Sequence, residues 1–201
     1  MRKNKYPKHV EENLSFGKQA LIFSWELFKV VLISLVIIIP VRYFLIKPFY
    51  VKGASMEPNF YDKEYLIIDE LSYRLGEPQR GDSVVFKYPL DPRQFFIKRI
   101  IGMPGERVLI TDGIVKIYNQ DNPEGRVLYE PYIASGTKTL QDTDIELQND
   151  EYFLLGDNRT ASLDSRAFGP VKRKFIVGRT LLRGWPITEF GLITNNLEYN
   201  L

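Results

Sequence analysis

Two residues far apart in the chain have the side chains of a serine hydrolase that works without histidine. Ser55 lies in the segment VKGASMEP (51–58), and Lys98 lies in the apolar run FFIKRII (95–101). Burial disfavours the ammonium form of a lysine and lowers its pKa. A neutral lysine can then accept the hydroxyl proton of a serine nucleophile.

Each of these residues also has a purely structural interpretation. A serine among small residues is usually part of a turn. Strand alternation places Lys98 on the same face as Phe96 and Ile100. If the opposite face, with Phe95 and Ile97, packs into the core, Lys98 is a solvated lysine of an edge strand. Alternation alone favours this exposed lysine.

A third segment, GDNRTASLDSR (156–166), combines hydroxyls with alternating charges. Its many turn formers are typical of a structural loop held by Asx turns. The same residues could instead hold a catalytic lysine in place through a hydroxyl and ion pairs. The residues themselves leave both interpretations open.

Composition excludes several kinds of site. The chain has no cysteine, which excludes disulfides, thiolate nucleophiles and iron–sulfur clusters. Its one histidine, His9, lies in a basic N-terminal tail, which argues against a Ser-His-Asp triad or a histidine zinc site. A hydrolase built on this chain needs another general base.

The elements that must position these residues are predicted to be β-strands. Short runs rich in β-branched and aromatic residues alternate with Pro and Gly, and Asp112-Gly113 is a strong hairpin signal. Residues 119–150 are more polar, so we predict a β-barrel or sandwich with a small inserted lobe at about 107–150. The predicted strands are 65–69, 83–87, 95–101, 108–111, 114–118, 152–155 and 175–182.

An apolar segment precedes this domain. Residues 27–46 carry only Lys29 and Arg42 as charges, near the two ends, and as a helix would span about 30 Å, the thickness of a bilayer core. A buried core helix is the alternative, but the segment lacks helical periodicity. No small-residue cleavage site follows it, so we predict a signal anchor rather than a cleaved signal peptide.

Charge is distributed unevenly about this anchor. Residues 1–46 carry seven basic and three acidic side chains, whereas the remainder has a net charge of −2. The positive-inside rule therefore predicts a cytoplasmic tail (1–26), the anchor (27–46) and an extracytoplasmic domain (47–201) in the cell membrane. A domain without a basic surplus is not expected to bind nucleic acid.

Four segments, in order after the anchor, together resemble the bacterial type I signal peptidases. They are SMEP (55–58), RGDSVVF (80–86), KRIIGMPGE (98–106) and GDNRTASLDSR (156–166). The resemblance covers residues from about 27 to 185, and four motifs in order are far more specific than one. The single anchor and short insertion are similar to the compact Gram-positive form.

The resemblance implies a mostly β catalytic core that removes signal peptides at the outer face of the membrane, with no metal or cofactor. By this resemblance, Ser55 matches the nucleophile, Lys98 the general base and Ser162 the hydroxyl that orients the lysine amine. The implied active-site scaffold comprises Arg99, Asp157, Asn158, Arg159, Asp164 and Arg166.

Substrate is expected to bind as an added β-strand, with shallow pockets for small side chains at positions −1 and −3. The oxyanion is expected to accept from the Ser55 N–H. The implied partners are the signal peptides of secreted pre-proteins, the lipid bilayer and, by proximity, the secretion translocon. Alignment with the family motifs gives five candidate pocket residues, each of which could equally be ordinary core: Phe49, Val51, Met56, Phe60 and Ile97.

Two positions depart from the commonest pattern of the family, and two other functions remain open. Gly53 stands where some members carry an oxyanion-binding serine, and Asn59 stands where threonine is commoner. A non-catalytic relative acting as an assembly factor is one alternative, against which the presence of both Ser55 and Lys98 argues. An extracytoplasmic binding module of the cell envelope is the other.

Overall fold

The computed structural model describes residues 16–40 and 47–193. The chain divides into two compact units, residues 1–42 and 43–201. The first contains one α-helix, and the second is built mainly from β-strands. The predicted fold class, a mostly β domain preceded by an apolar N-terminal helix, is confirmed.

Helix α1 spans Phe16–Pro40 and is long and apolar enough to cross a membrane once. Its mean hydropathy reaches 2.3 over 18 residues, none of them buried in the protein. The helix begins earlier than the predicted segment 27–46 because charged side chains do not interrupt a helix. Lys29 Nζ lies 2.7 Å from a carboxylate oxygen of Glu26, one turn away. Lys29 therefore lies near the middle of the helix, while residues 41–46, with Arg42, and residues 1–15, with His9, lie outside the described part of the chain.

The larger sheet has eight strands, with spatial order β1-β2-β11-β3-β4-β9-β10 and β12 paired to β11. All its strand pairs are antiparallel. Its strands are β1 (Lys47–Tyr50), β2 (Tyr65–Asp69), β3 (Ser83–Tyr88), β4 (Asp91–Gly102), β9 (Glu151–Leu155), β10 (Val171–Lys172), β11 (Ile176–Trp185) and β12 (Gly191–Leu192).

The smaller sheet has four strands in the order β7-β6-β5-β8, all inside residues 107–146. Asp112 and Gly113 join β5 to β6 with φ angles of 53° and 83°, as a tight two-residue hairpin turn requires. The strands are β5 (Arg107–Thr111), β6 (Ile114–Tyr118), β7 (Arg126–Val127) and β8 (Thr143–Glu146). Short α-helices are α2 (Ser72–Leu75) and α3 (Ser165–Phe168), and 3-10 turns lie at Arg173–Phe175 and Ile187–Glu189.

The two sheets share apolar core. Val108 and Ile117 of the smaller sheet pack in one buried cluster with Ile101, Phe153 and Leu155 of the larger one. The strands that lead into the functional loops are thus fixed from both sides, because close-packed cores deform little.

One edge of the larger sheet lacks a partner strand within the described residues. Strand β4 pairs with β3 up to Arg99, but β9 pairs with its other side only from Arg99 onward. The opposite side of residues 91–98 therefore has no strand beside it in the described structure. Strand β1, at the end of the sheet, pairs only with β2 there. Both edges offer free backbone groups for a further strand.

Candidate active site

Ser55 and Lys98 meet although 43 residues separate them in the sequence. Ser55 lies in the turn after β1 and Lys98 on β4, and Lys98 Nζ is 2.7 Å from Ser55 Oγ. The same Nζ donates to the carbonyl oxygen of Ile97 at 2.8 Å. A hydroxyl and an amine at this distance can exchange a proton directly.

Lys98 is buried, with 3% of its surface exposed, so the exposed lysine favoured by strand alternation is wrong. Strand β4 is buried on both faces from Ile97 to Gly102. Ile97 packs into one core cluster and Ile100 into another. Alternation fails here because it assumes one solvated face.

Burial lowers the pKa of Lys98 from 10.5 to about 8. The carboxylates of Asp164 and Asp157 act in the opposite direction, since negative charge favours the ammonium form. Desolvation outweighs them, and a substantial fraction of Lys98 is neutral in mildly alkaline solution.

Asp157 is buried and accepts hydrogen bonds from two parts of the site. The Arg99 guanidinium donates to both of its oxygens, with Nε at 2.8 Å, and also to the Gly81 carbonyl. Asn59 Nδ2 donates to Asp157 at 2.9 Å and to the Tyr132 carbonyl at 2.7 Å. The buried charge is therefore paired and hydrogen-bonded, as a buried carboxylate requires.

Arg159 joins the motif loop to the inserted lobe. Its side chain is fully buried and donates to both carboxylate oxygens of Glu130. It also donates to the Thr139 hydroxyl at 2.6 Å and, through Nε, to the Gly156 carbonyl at 3.0 Å. The segment 130–139 thus forms part of the scaffold.

Asp164 closes the motif loop. Its carboxylate accepts from Arg166 at 2.8 Å and from the Gly156 N–H at 3.1 Å, and it caps helix α3 through the Arg166 N–H. Burial raises the pKa of Asp164, but the bonds from Arg166 and Gly156 outweigh it and the net pKa is lowered. Asp164 is thus held as a carboxylate near Lys98.

Ser162 is expected to orient the lysine amine, but no hydrogen bond joins its hydroxyl to Lys98 in this structure. Its buried Oγ has no hydrogen bond of good geometry within the described residues, although it lies close enough to help lower the pKa of Asp164. The loop approaches the Ser55 turn closely at Gly156, where an added Cβ would lie 2.2 Å from Ser162 Oγ and 2.5 Å from the Ser55 carbonyl oxygen. Only glycine permits that approach.

Asn158 fixes the turn that carries Ser55. Its N–H donates to the Ser55 carbonyl at 3.1 Å, and its Nδ2 donates to the Ala54 carbonyl at 3.1 Å. The N–H of Ser55 donates no hydrogen bond across the described part of the chain. Gly53 has a φ of +88°, and its N–H donates to Asp62.

A cleft of about 370 Å³ opens beside Ser55 and Lys98. The free edges of β1 and β4 both contribute to it. Of the five candidate pocket residues, Phe49 and Ile97 line the cleft, whereas Val51, Met56 and Phe60 are buried in the core cluster beneath it. Alignment with the family motifs marks all five residues alike and cannot separate a pocket wall from the core behind it. The cleft is lined by Phe49, Tyr50, Lys52, Gly53, Ala54, Ser55, Phe95, Phe96, Ile97, Lys98, Ala161 and Leu163.

Sequence reasoning missed the residues that complete the scaffold from the inserted lobe. Glu130, Tyr132 and Thr139 contact Arg159, and none lies in a motif. Within residues 16–40 and 47–193, no group of three or more histidine or acidic side chains is arranged to hold a metal ion.

Comparison with known proteins gives a consistent result. Residues 24–185 match the family model described as "Signal peptidase, peptidase S26". A probable signal peptidase I-2 from Synechocystis sp. is 37% identical over 182 residues, covering 87% of this chain and 80% of the relative. Signal peptidase I from Bacillus licheniformis is 30% identical, covering 89% and 96%. The crystal structure of a signal peptidase I from Enterococcus faecalis is 32% identical with a TM-score of 0.43, covering 52% of this chain and 97% of that one.

Proposed function

Since the chain belongs to the signal peptidase family, peptidase S26, its activity is the removal of signal peptides by a serine peptidase, and we propose that Ser55 is the nucleophile and Lys98 the general base. The observation that carries this proposal is the 2.7 Å contact between Lys98 Nζ and Ser55 Oγ. The lowered pKa of Lys98, about 8, supports it because only a neutral amine accepts the serine proton.

The reaction then proceeds through an acyl-enzyme. Ser55 Oγ attacks the scissile carbonyl carbon while Lys98 Nζ takes the hydroxyl proton. Lys98 returns that proton to the departing amine as the peptide bond breaks. A water molecule next attacks the ester, and Lys98 serves again as base before Ser55 leaves with its proton restored.

The N–H of Ser55 is a candidate donor to the oxyanion. It makes no hydrogen bond within the described residues, and the Ser55 carbonyl is held by the Asn158 N–H. A donor fixed by its surroundings stabilises developing charge without reorganising. Gly53 offers no side-chain donor, so backbone groups carry this role.

The substrate is proposed to enter as a strand between β1 and β4. Both edges line the cleft, and each has backbone groups without a partner strand in the described structure. A peptide there would be hydrogen-bonded along both sides. The shallow walls at Phe49 and Ile97 suit the small side chains at −1 and −3.

The topology follows from charge. We propose that helix α1 crosses the membrane once with its basic N-terminal side in the cytoplasm, since basic residues concentrate there. The catalytic domain then faces the outside, beside the bilayer and near the translocon from which signal peptides emerge. Protease added to intact protoplasts should remove the domain, and protection of that domain would contradict this orientation.

The test is cleavage of an exported precursor by the full-length protein in detergent, with N-terminal sequencing of the product. We expect one cut after a small residue. Ser55→Ala should abolish the cut, whereas Ser135→Ala, a serine in an exposed loop, should not. A cut that survives in Ser55→Ala would refute the assignment of the nucleophile.

A further inference from the structure

A second cavity, of about 550 Å³, lies on the other side of the Ser55 turn from the cleft. It is lined by the loop of the inserted lobe that contains Thr137 and Lys138, and by Glu57, Asn158 and Thr160 near the nucleophile. No step of the proposed mechanism uses it.

The position of this cavity follows from two chain segments that it shares with the cleft. On the first segment, residues 53–55 line the cleft and Glu57 and Pro58 line the cavity. On the second, Ala161 and Leu163 line the cleft, and residues 157–160 line the cavity. The Asn158 N–H to Ser55 carbonyl bond holds the two segments together between the sites. A peptide whose scissile carbonyl reaches Ser55 Oγ therefore has the cleft on one side and the cavity on the other.

The two sites differ in the charged groups that a peptide would meet. The cleft presents phenylalanine, isoleucine and leucine side chains and the free strand edges beside the catalytic pair. The cavity wall holds two carboxylates and two cations among apolar side chains. Asp157 and Arg159 are buried in the ion pairs described above, whereas Glu57 and Lys138 make no ion pair within the described residues. The cleft suits the signal-peptide side of the cut, since signal peptides are apolar before their cleavage site. The first residues of the released chain would then meet the charges of Glu57 and Lys138.

We propose that this cavity is a binding site for the residues immediately after the cut, the mature side of the pre-protein, and that Glu57 and Lys138 select its charge. The site rests on the proposed function, because it assumes cleavage at Ser55. Glu57 lies two residues from the nucleophile and is half-buried, whereas Lys138 lies across the cavity on the inserted lobe and is exposed. Basic side chains on the mature side are attracted by Glu57 and acidic ones by Lys138.

The experiment measures kcat/KM for the full-length protein with two peptides that share the signal side and carry either Glu or Lys at positions +2 to +4. Glu57→Lys should raise the acidic-to-basic ratio of kcat/KM about fivefold, and Lys138→Glu should lower it by a similar factor. These factors correspond to reversing a partly exposed charge pair. Lys172→Glu, an equal charge change on strand β10 outside the cavity, should leave the ratio unchanged.

The outcomes separate the two proposals. Failure of the native protein to cut either peptide would count against the proposed function. Cutting that depends on Ser55, with the same acidic-to-basic ratio in all variants, would overturn the mature-side site alone. If Glu57→Lys does not fold, Lys138→Glu decides, because its side chain is exposed. A shift as large in Lys172→Glu would also overturn the proposal, since it would show a general effect of net charge.

Discussion

The depressed pKa of Lys98 makes a quantitative prediction about the pH dependence of cleavage. With a pKa of about 8, roughly one lysine in eleven is neutral at pH 7 and ten in eleven at pH 9. The value of kcat/KM should therefore rise about tenfold between these pH values, pass half its maximum near pH 8 and level off above pH 9. A lysine with the unperturbed pKa would give a rise that continues beyond pH 10.

The assay measures the initial rate of cleavage of a peptide without ionisable side chains near the cut, from pH 6 to 10.5. The peptide concentration is kept well below KM. Under these conditions kcat/KM reports the free enzyme, in which Lys98 has the environment described above. Lys98→Arg is the matched variant, and it should be inactive at every pH because guanidinium keeps its proton. A profile without a plateau below pH 10, or substantial activity in Lys98→Arg, would refute the reasoning.

Four further predictions concern single side chains. The pKa of Lys98 is about 8 in the folded protein and near 10.5 in the unfolded chain, so below pH 8 the proton on Lys98 destabilises the fold by about 3 kcal/mol. Lys98→Met should therefore raise the free energy of unfolding, measured in urea at pH 7. This gain should fade as the pH rises from 8 to above 10.5. Ser55→Ala and Lys98→Ala should each abolish turnover, and the double variant should be scarcely slower than either; additive losses would separate the two roles. Gly53→Ser should stay active because nothing lies within 4 Å of the added Cβ, but its φ of +88° should cost about 1 kcal/mol in the same urea titration. Glu130→Gln leaves the buried Arg159 without its carboxylate and should lower the unfolding free energy by about 3 kcal/mol, with a matching fall in Tm; an unchanged Tm would show that Arg159 finds another partner.

The strands and the hairpin could be predicted because their signals are local. The predicted strand 65–69 coincides with β2, and Asp112-Gly113 forms the turn that its residue types indicate. The burial of Lys98 could not be predicted from alternation. It depends on residues distant in sequence that cover the second face of β4, and the family resemblance, not periodicity, singled this lysine out.

The network around Arg159 shows another limit of local patterns. Glu130 and Thr139 lie in a polar stretch that resembles a loop insertion, and their role arises only when the inserted lobe packs beside the motif loop. The role of Ser162 as the hydroxyl that orients the lysine amine stays a prediction, and no hydrogen bond joins the two groups in this structure. Asn59, noted only as a departure from threonine, turns out to bridge Asp157 and Tyr132.

The gap between β1 and β4 has a consequence for how the protein behaves at high concentration. An ordinary exposed edge can recruit one strand after another, which is the geometry of fibril growth. Here both edges flank the same cleft, so a strand bound in the proposed way would be paired on its two sides and would offer no new edge to a third. Association through this cleft would then stop after one segment, whether that segment belongs to a substrate or to another molecule.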